Sequence, residues 1–392
     1  MTGPRILIIM SHTGGGHRSA ALALQEALLQ LAPRVQVTVA DIFAQLPFPL
    51  SRLGELYEPV VQYSQSLWQL VWDLTESPEK AERLIKVIAP LARPTLRELL
   101  REQDPDVVVS VYPLCVHALA QARRDLALST PQITVVVDLV NIHPTWGCAE
   151  VDCCVVPTEP AQQQVLQYGV PPERVRLLGL PVRLHFGTCQ EEKRVLRSRL
   201  GLDPDLWTLL LMGGAEGVGP LFEMARALGE SDLPLQLLVV TGHNKKLRRE
   251  MAAASWRKGV RIFGFVERVW ELMGASDLLL TKAGPGTICE GLNAGLPILI
   301  IDALPGQEAG NADYVVSHGA GSLIPSPEML AATLQELLVS DGRRLEEMRA
   351  RVQELARPQA ALDIAQLILS RTTPHVSRLG GNHDPSGFPW QR

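Results

Sequence analysis

Aromatic residues are scarce in this chain of 392 residues, with seven Trp, five Tyr and seven Phe, so the places where they gather are informative. Apolar runs long enough to span a bilayer, roughly 18 residues, are missing altogether. The apolar run at 6–10 passes at once into glycines and is too short for a signal peptide, so a cytoplasmic location is expected. Six cysteines, at 115, 148, 153, 154, 189 and 289, form no CxxC pair and no metal-ligand spacing, which sets aside a disulfide framework and a zinc site. A basic excess is also lacking. The formal net charge of -5 argues against a general nucleic-acid binder.

What is present is an ordinary globular composition, 46% hydrophobic and 20% charged, over a length that exceeds one typical core. Two domains of α/β class are therefore expected. Residues 5–10 read as a buried strand, 14–16 as a glycine turn, and 17–32 as a helix with apolar positions at Ala20, Leu24, Ala27, Leu28 and Leu31. The second half repeats this plan with a strand at 209–212, a glycine loop at 213–217 and a helix at 220–228. A strand leading through glycines into a helix N-terminus offers backbone N–H groups to a phosphate. The stretch 281–311, TKAGPGTICEGLNAGLPILIIDALPGQEAGN, extends the same logic. Its Gly-Pro turn is followed by Glu290 about one helical turn later, and after the next strand come Gln307, Glu308 and Asn311. That combination suits a nucleotide diphosphate carrying a polyol. Glycines that merely make tight turns explain the spacing equally well. GxG followed by Asp41 also has the outline of a dinucleotide fingerprint, with Ser19 where its third glycine belongs.

Six aromatics, Phe43, Phe48, Tyr57, Tyr63, Trp68 and Trp72, fall within residues 43–74. Trp68 and Trp72 share a helix face beside Leu67, Val71 and Leu74, and Lys80, Arg83, Lys86, Arg93, Arg97 and Arg101 follow. Amphipathic aromatics with nearby cations suit an anionic membrane surface. With Glu79, Glu82, Glu98 and Glu102 interleaved, the pattern also suits core aromatics beneath a solvated face. Strands at 107–111 and 133–137 are apolar and β-branched, as in parallel sheets covered on both faces. Tyr112-Pro113, Asp138 and the HPTW of 143–146 follow them, where ligands of α/β folds bind. GLPVRLHFGT at 179–188 reads as the domain linker, and the polar 371–392 as a disordered tail.

Taken in order, SHTGGGHRSA, VDLVNIHPTW, GLPVR, LMGGAEGVGP, TGHNKKL, GFV, TKAGPGTICE and PGQEAGN make the chain resemble a family of lipid glycosyltransferases. These are the enzymes of the monogalactosyldiacylglycerol synthase and processive diacylglycerol glucosyltransferase type. The chain is more distantly similar to the N-acetylglucosaminyltransferase of peptidoglycan lipid II synthesis. The resemblance implies a GT-B fold, two Rossmann-like α/β domains with parallel sheets facing a cleft. Residues 1–185 would take the lipid acceptor, with a membrane-facing segment at about 43–101, and residues 186–370 the UDP-sugar. The implied reaction moves a hexose from a UDP-hexose to a lipid hydroxyl with inversion, the expected acceptor being diacylglycerol at the inner face of the cell membrane.

The resemblance implies no cofactor and no metal, and no acidic metal-ligand cluster stands out. Carried onto the matching positions, His17 is the leading base, with Asp138 its rival or orienting partner. Gly14, Gly15, Gly16, His143, Thr145 and Trp146 belong to the acceptor site. Gly213, Gly214, Gly284, Gly286 and Thr287 meet the diphosphate, Phe265 and Val266 border the uracil, Glu290 holds the ribose, and Gln307 with Glu308 reads the hexose. Glu216, His243, Asn244, Lys282 and Asn311 complete the expected donor site.

Three positions depart from the family's pattern. His12 stands where an acidic residue is common, His243 where an Arg or Lys is, and Gly147 where an aromatic residue follows HPTW. The last predicts a loss of apolar surface at the acceptor mouth. The rival readings are a UDP-sugar epimerase on the same fold, an NAD-dependent oxidoreductase resting on Gly14, Gly16 and Asp41, and a non-catalytic lipid- or nucleotide-binding protein.

Overall fold

A computed structural model describes residues 3–12, 15–46, 51, 65–188, 191–339 and 342–372. The expectations for Gly14, Phe48, Tyr57, Tyr63 and the tail from 373 onward lie outside the described residues. The first sheet comprises β1 (Arg5–Met10), β2 (Gln36–Asp41), β3 (Val107–Ser110), β4 (Gln132–Val135), β5 (Cys153–Val156) and β6 (Val175–Leu177). Their order is β2-β1-β3-β4-β5-β6, and every pairing is parallel. The second comprises β7 (Trp207–Met212), β8 (Leu235–Val240), β9 (Val260–Phe263), β10 (Leu278–Lys282), β11 (Ile298–Asp302) and β12 (Gly321–Leu323). They run β12-β11-β10-β7-β8-β9, again all parallel.

The central strands are continuous runs of Ile, Leu and Val because helices cover both faces of each sheet. Ile6 to Ile9, Val107 to Val109 and Leu278 to Leu280 are all essentially inaccessible. Strand order reverses between β1 and β3 in one sheet and between β7 and β10 in the other. In open parallel sheets ligands bind at such reversals, beyond the strands' C-terminal ends.

The two halves are joined by more than the linker. Glu26, on the helix Gly15–Leu31, accepts from Arg183 and lies 3.2 Å from His185 Nδ1. The His185 ring in turn stacks on Trp270 of the second half at 4.6 Å. The closing helix Ala360–Ser370 leaves the second sheet and packs on Gly15–Leu31 of the first.

The long helix Pro78–Gln103 is capped by Ser77, which accepts from the Lys80 amide, and ends at Asp104 in the left-handed region with φ 36°. Ala81, Ala89, Ala92, Leu96, Leu99 and Leu100 face the core. Pro90 and Pro94 lie within it, and each withholds an amide from the carbonyl four residues earlier. Those carbonyls belong to Lys86 and Pro90, both exposed, so solvent satisfies them.

Candidate active site

The cluster of the first half is built on His17, which enters the first turn of the helix Gly15–Leu31 at the end of β1. Its Nδ1 lies 2.7 Å from the Val111 carbonyl, just beyond β3 across the strand reversal. A carbonyl only accepts, so Nδ1 carries the proton and Nε2 keeps its lone pair. Tyr112 stands edge-on to the ring at 5.0 Å and Trp146 lies tilted at 6.5 Å. Burial lowers the pKa of His17, opposed by the nearby Asp138 carboxylate and by the Val111 bond. Asp138 itself is buried and has both oxygens engaged, accepting from Trp146 Nε1 at 2.7 Å and from Gln307 Nε2 at 3.3 Å.

His143 Nδ1 accepts from the Thr145 amide at 3.3 Å and lies 2.8 Å from its hydroxyl, which fixes the turn carrying Trp146. Burial also lowers the pKa of His143. Thr145 and Trp146 are fully buried, so they support the cluster from within. Gly147 leaves no hole. A Cβ there would lie 2.3 Å from Tyr168 Cβ, and Tyr168 is the side chain that fills the space the sequence reading left empty. His12 pairs with Asp41, whose carboxylate also accepts from the Phe43 amide at 3.0 Å. The acid of the dinucleotide outline is therefore committed to local structure.

In the second half the loop after β7 folds tightly on itself. Gly214 and Gly217 take φ of 70° and 60°, and a Cβ on Gly213 would lie 2.1 Å from the Val218 carbonyl. Lys282, at the end of β10, comes alongside, with its Cε 3.4 Å from where a Gly214 Cβ would be. Gly284 caps the helix Pro285–Asn293, Thr287 sits half-buried in its first turn, and the space beside Gly286 is open. Both glycine turns of this half thus border one cationic side chain.

Lys282 pairs with Glu308, which also accepts from the Leu304 amide at 3.0 Å. Glu308 is buried by these contacts and holds the loop. Asn311 is likewise buried and donates to the Ala283 carbonyl at 2.9 Å, supporting the turn from behind. Asn244 caps the helix Lys245–Ala253 and reaches the Gly217 carbonyl at 3.3 Å. His243 stacks face to face on the exposed Phe265 at 4.5 Å, with the half-buried Val266 next to it. Glu216 is half-buried in the glycine loop.

Glu290 is half-buried on the helix Pro285–Asn293 and accepts a hydrogen bond from the Ser19 side chain of the other half. Burial pushes its carboxyl up to about 8, with the Ser19 bond acting against the shift. The two halves also touch where a Gly15 Cβ would lie 2.9 Å from Ala215 Cβ. His17, Asp138, Trp146 and Gln307 are thereby brought to one place, with Glu290 across the cleft beside Ser19.

Three further residues join the site. Asn141 donates to the Gly306 carbonyl at 2.6 Å. Tyr112 follows β3 and packs edge-on to His17. Trp72, whose pattern suits either a membrane surface or a core, takes the core alternative, with its ring buried against Gly306 and 5.4 Å from His143. Its spacing four residues from Trp68 was a signal of a shared face; which neighbour that face meets is a tertiary fact.

A family model for monogalactosyldiacylglycerol synthase matches residues 17–182, and one for the glycosyltransferase family 28 C-terminal domain matches residues 208–367. The monogalactosyldiacylglycerol synthase of Spinacia oleracea, a chloroplastic protein, is 37% identical over 92% of this chain and 71% of its own length. Among solved structures, Acinetobacter baumannii MurG superposes with a TM-score of 0.61 at 17% identity, covering 94% of this chain and all of its own. A UDP-GlcNAc 2-epimerase from Neisseria meningitidis has the same TM-score of 0.61 at 14% identity, covering 93% of this chain and all of its own. At such identities the structures speak for the fold, and the fold is GT-B, two facing parallel α/β domains. With the sequence match running through both halves, the chain belongs to the monogalactosyldiacylglycerol synthase family of glycosyltransferases.

Proposed function

We propose that this chain transfers a hexose from a UDP-hexose to the hydroxyl of diacylglycerol, inverting the anomeric centre to give a β-glycosyl lipid. The single observation that supports it most is the His17 pair of contacts. A neutral imidazole with Nδ1–H held by Val111 keeps its Nε2 unprotonated, and a buried carboxylate stands by to stabilise the imidazolium. In the proposed step Nε2 takes the acceptor hydroxyl proton and the oxygen attacks the anomeric carbon. The bond to UDP breaks, and its electron pair leaves on the β-phosphate oxygen. A base so placed is worth roughly 10²- to 10⁴-fold. Asp138, with both oxygens already bonded, fits the orienting role better than the base.

On the donor side we assign the departing diphosphate to Lys282 and to the backbone amides at Gly214 and Gly286, whose charge and dipoles supply what a metal would otherwise provide; the Gly284 amide is already bonded to the Lys282 carbonyl at 2.8 Å. Glu290 is assigned to the ribose and Gln307 to the hexose. Glu308 reaches the sugar once Lys282 turns to the phosphate.

No helix among the described residues is long and apolar enough to cross a membrane. Contact with an anionic lipid surface is instead assigned to two successive helices. Leu70, Val71 and Leu74 are exposed on and just after Gln65–Asp73, and Val87 and Leu91 on Pro78–Gln103, with Arg83 and Lys86 exposed beside them. Apolar side chains fringed by cations are what an anionic interface recruits. The test is to incubate the protein with diacylglycerol vesicles and each UDP-hexose and to analyse the lipids by mass spectrometry. A β-hexosyl diacylglycerol is the expected product; an epimerised UDP-sugar formed without lipid would contradict the reading.

A further inference from the structure

Resting on that reading, we propose that Trp72 is a positioning residue for the donor loop, and that lipid binding tightens the UDP-sugar through it. The turn 305–308 is gripped from the acceptor half on three sides. Gly306 has φ 77°, and a Cβ on it would lie 2.4 Å from Trp72 Cδ1, so the indole rests directly on the backbone. Asn141 holds the Gly306 carbonyl at 2.6 Å, and Gln307 reaches Asp138 at 3.3 Å. These three contacts fix the turn that carries Gln307 and Glu308.

The helix that supplies Trp72 is short, nine residues from Gln65 to Asp73. A helix of that length is marginal in water without packing. Its inward anchor is Trp72, 9% exposed, whereas Leu70 and Leu74 on its outer side are 53% and 62% exposed. Lys80 ties its end, donating to the Asp73 carbonyl. One short element therefore has a donor-loop face and a lipid face. A surface that buries Leu70, Val71 and Leu74 holds the helix in place, and with it the Trp72–Gly306 contact. Linkage makes the effect mutual, since whatever factor the lipid adds to donor affinity the donor adds to lipid affinity.

The experiment measures binding of UDP-galactose and UDP-glucose to the full chain by calorimetry, with and without anionic phospholipid vesicles that contain no diacylglycerol. A Kd tighter by roughly fivefold with vesicles is expected for the hexose nucleotide that binds. UDP alone, which lacks the hexose read by the loop, should show a ratio near one. Trp72→Ala should keep vesicle sedimentation but bring the UDP-sugar ratio to one, and Trp72→Phe should restore part of it. Leu70→Ser with Leu74→Ser should lose vesicle binding while leaving the vesicle-free Kd unchanged. Should Trp72→Ala fail to fold, Gly306→Ala displaces the indole from the other side and should also bring the ratio to one. An unchanged Kd in wild type, or the same ratio in both uncoupling variants, would overturn the proposal. Binding of neither UDP-sugar would overturn the transferase reading and this proposal with it.

Discussion

The loop after β1 and the loop after β7 are the same device, strand into glycines into helix, and the chain uses them in opposite ways. Beside Gly16 a Cβ would find nothing within 4 Å, and the loop leads straight into the side chain of His17, held by the Val111 carbonyl. In the second loop a Cβ on Gly217 would lie 2.0 Å from the Thr241 carbonyl, and one on Gly213 2.1 Å from that of Val218. There the glycines let the backbone fold on itself, with Lys282 brought alongside. On the proposed function the contrast is between a proton-transfer side, which needs one oriented ring, and a leaving-group side, which needs many dipoles at close range.

The largest expected effect separates these roles. His17→Ala should lower kcat by roughly 10²- to 10⁴-fold with little change in donor KM, measured by UDP release. Asp138→Asn should come next, lowering kcat and shifting the acid limb of the kcat/KM profile to lower pH. The sign follows from its neighbour: the Asp138 charge raises the His17 pKa, so removing it lets burial lower that value further.

On the other side, Glu290→Gln should raise donor KM about tenfold, the order of one charge-assisted hydrogen bond, with kcat nearly intact. Burial pushes Glu290 up to about 8, so near neutrality it is largely protonated. Ribose hydroxyls donate to the ionised form. Donor affinity in the wild type should therefore increase as pH rises through about 8, and the Gln variant should lose that dependence in calorimetric titrations.

Smaller effects test the glycines themselves. Gly217→Ala combines the overlap at Thr241 with φ 60°, and should destabilise the fold by about 1–3 kcal/mol in denaturant titrations. Gly16→Ala, in the first turn of an exposed helix end, should change stability by less than about 1 kcal/mol. Equal losses at Gly16 and Gly217 would break the contrast between the loops.

The two domains were legible because buried parallel strands are continuous apolar runs and because glycine loops punctuate them. β6 and β12 were not, since three-residue edge strands such as Val175–Leu177 carry too little pattern to register. His17, Asp138 and Gln307 could be named from motifs, but their meeting could not, because 169 positions separate Asp138 from Gln307. Packing decided two points that local spacing left open or misjudged. Tyr168 fills the space over Gly147, and Trp72 takes the core alternative against Gly306. In both cases the deciding neighbour is distant in sequence.

The most direct measurement of the central claim is UDP release from a UDP-hexose by the purified chain, with vesicles that contain diacylglycerol and with matched vesicles that do not. Release that depends on diacylglycerol, accompanied by one β-hexosyl lipid per UDP and lost in His17→Ala, is the expected result. Turnover of the UDP-sugar that is indifferent to diacylglycerol, or to the loss of His17, would contradict it.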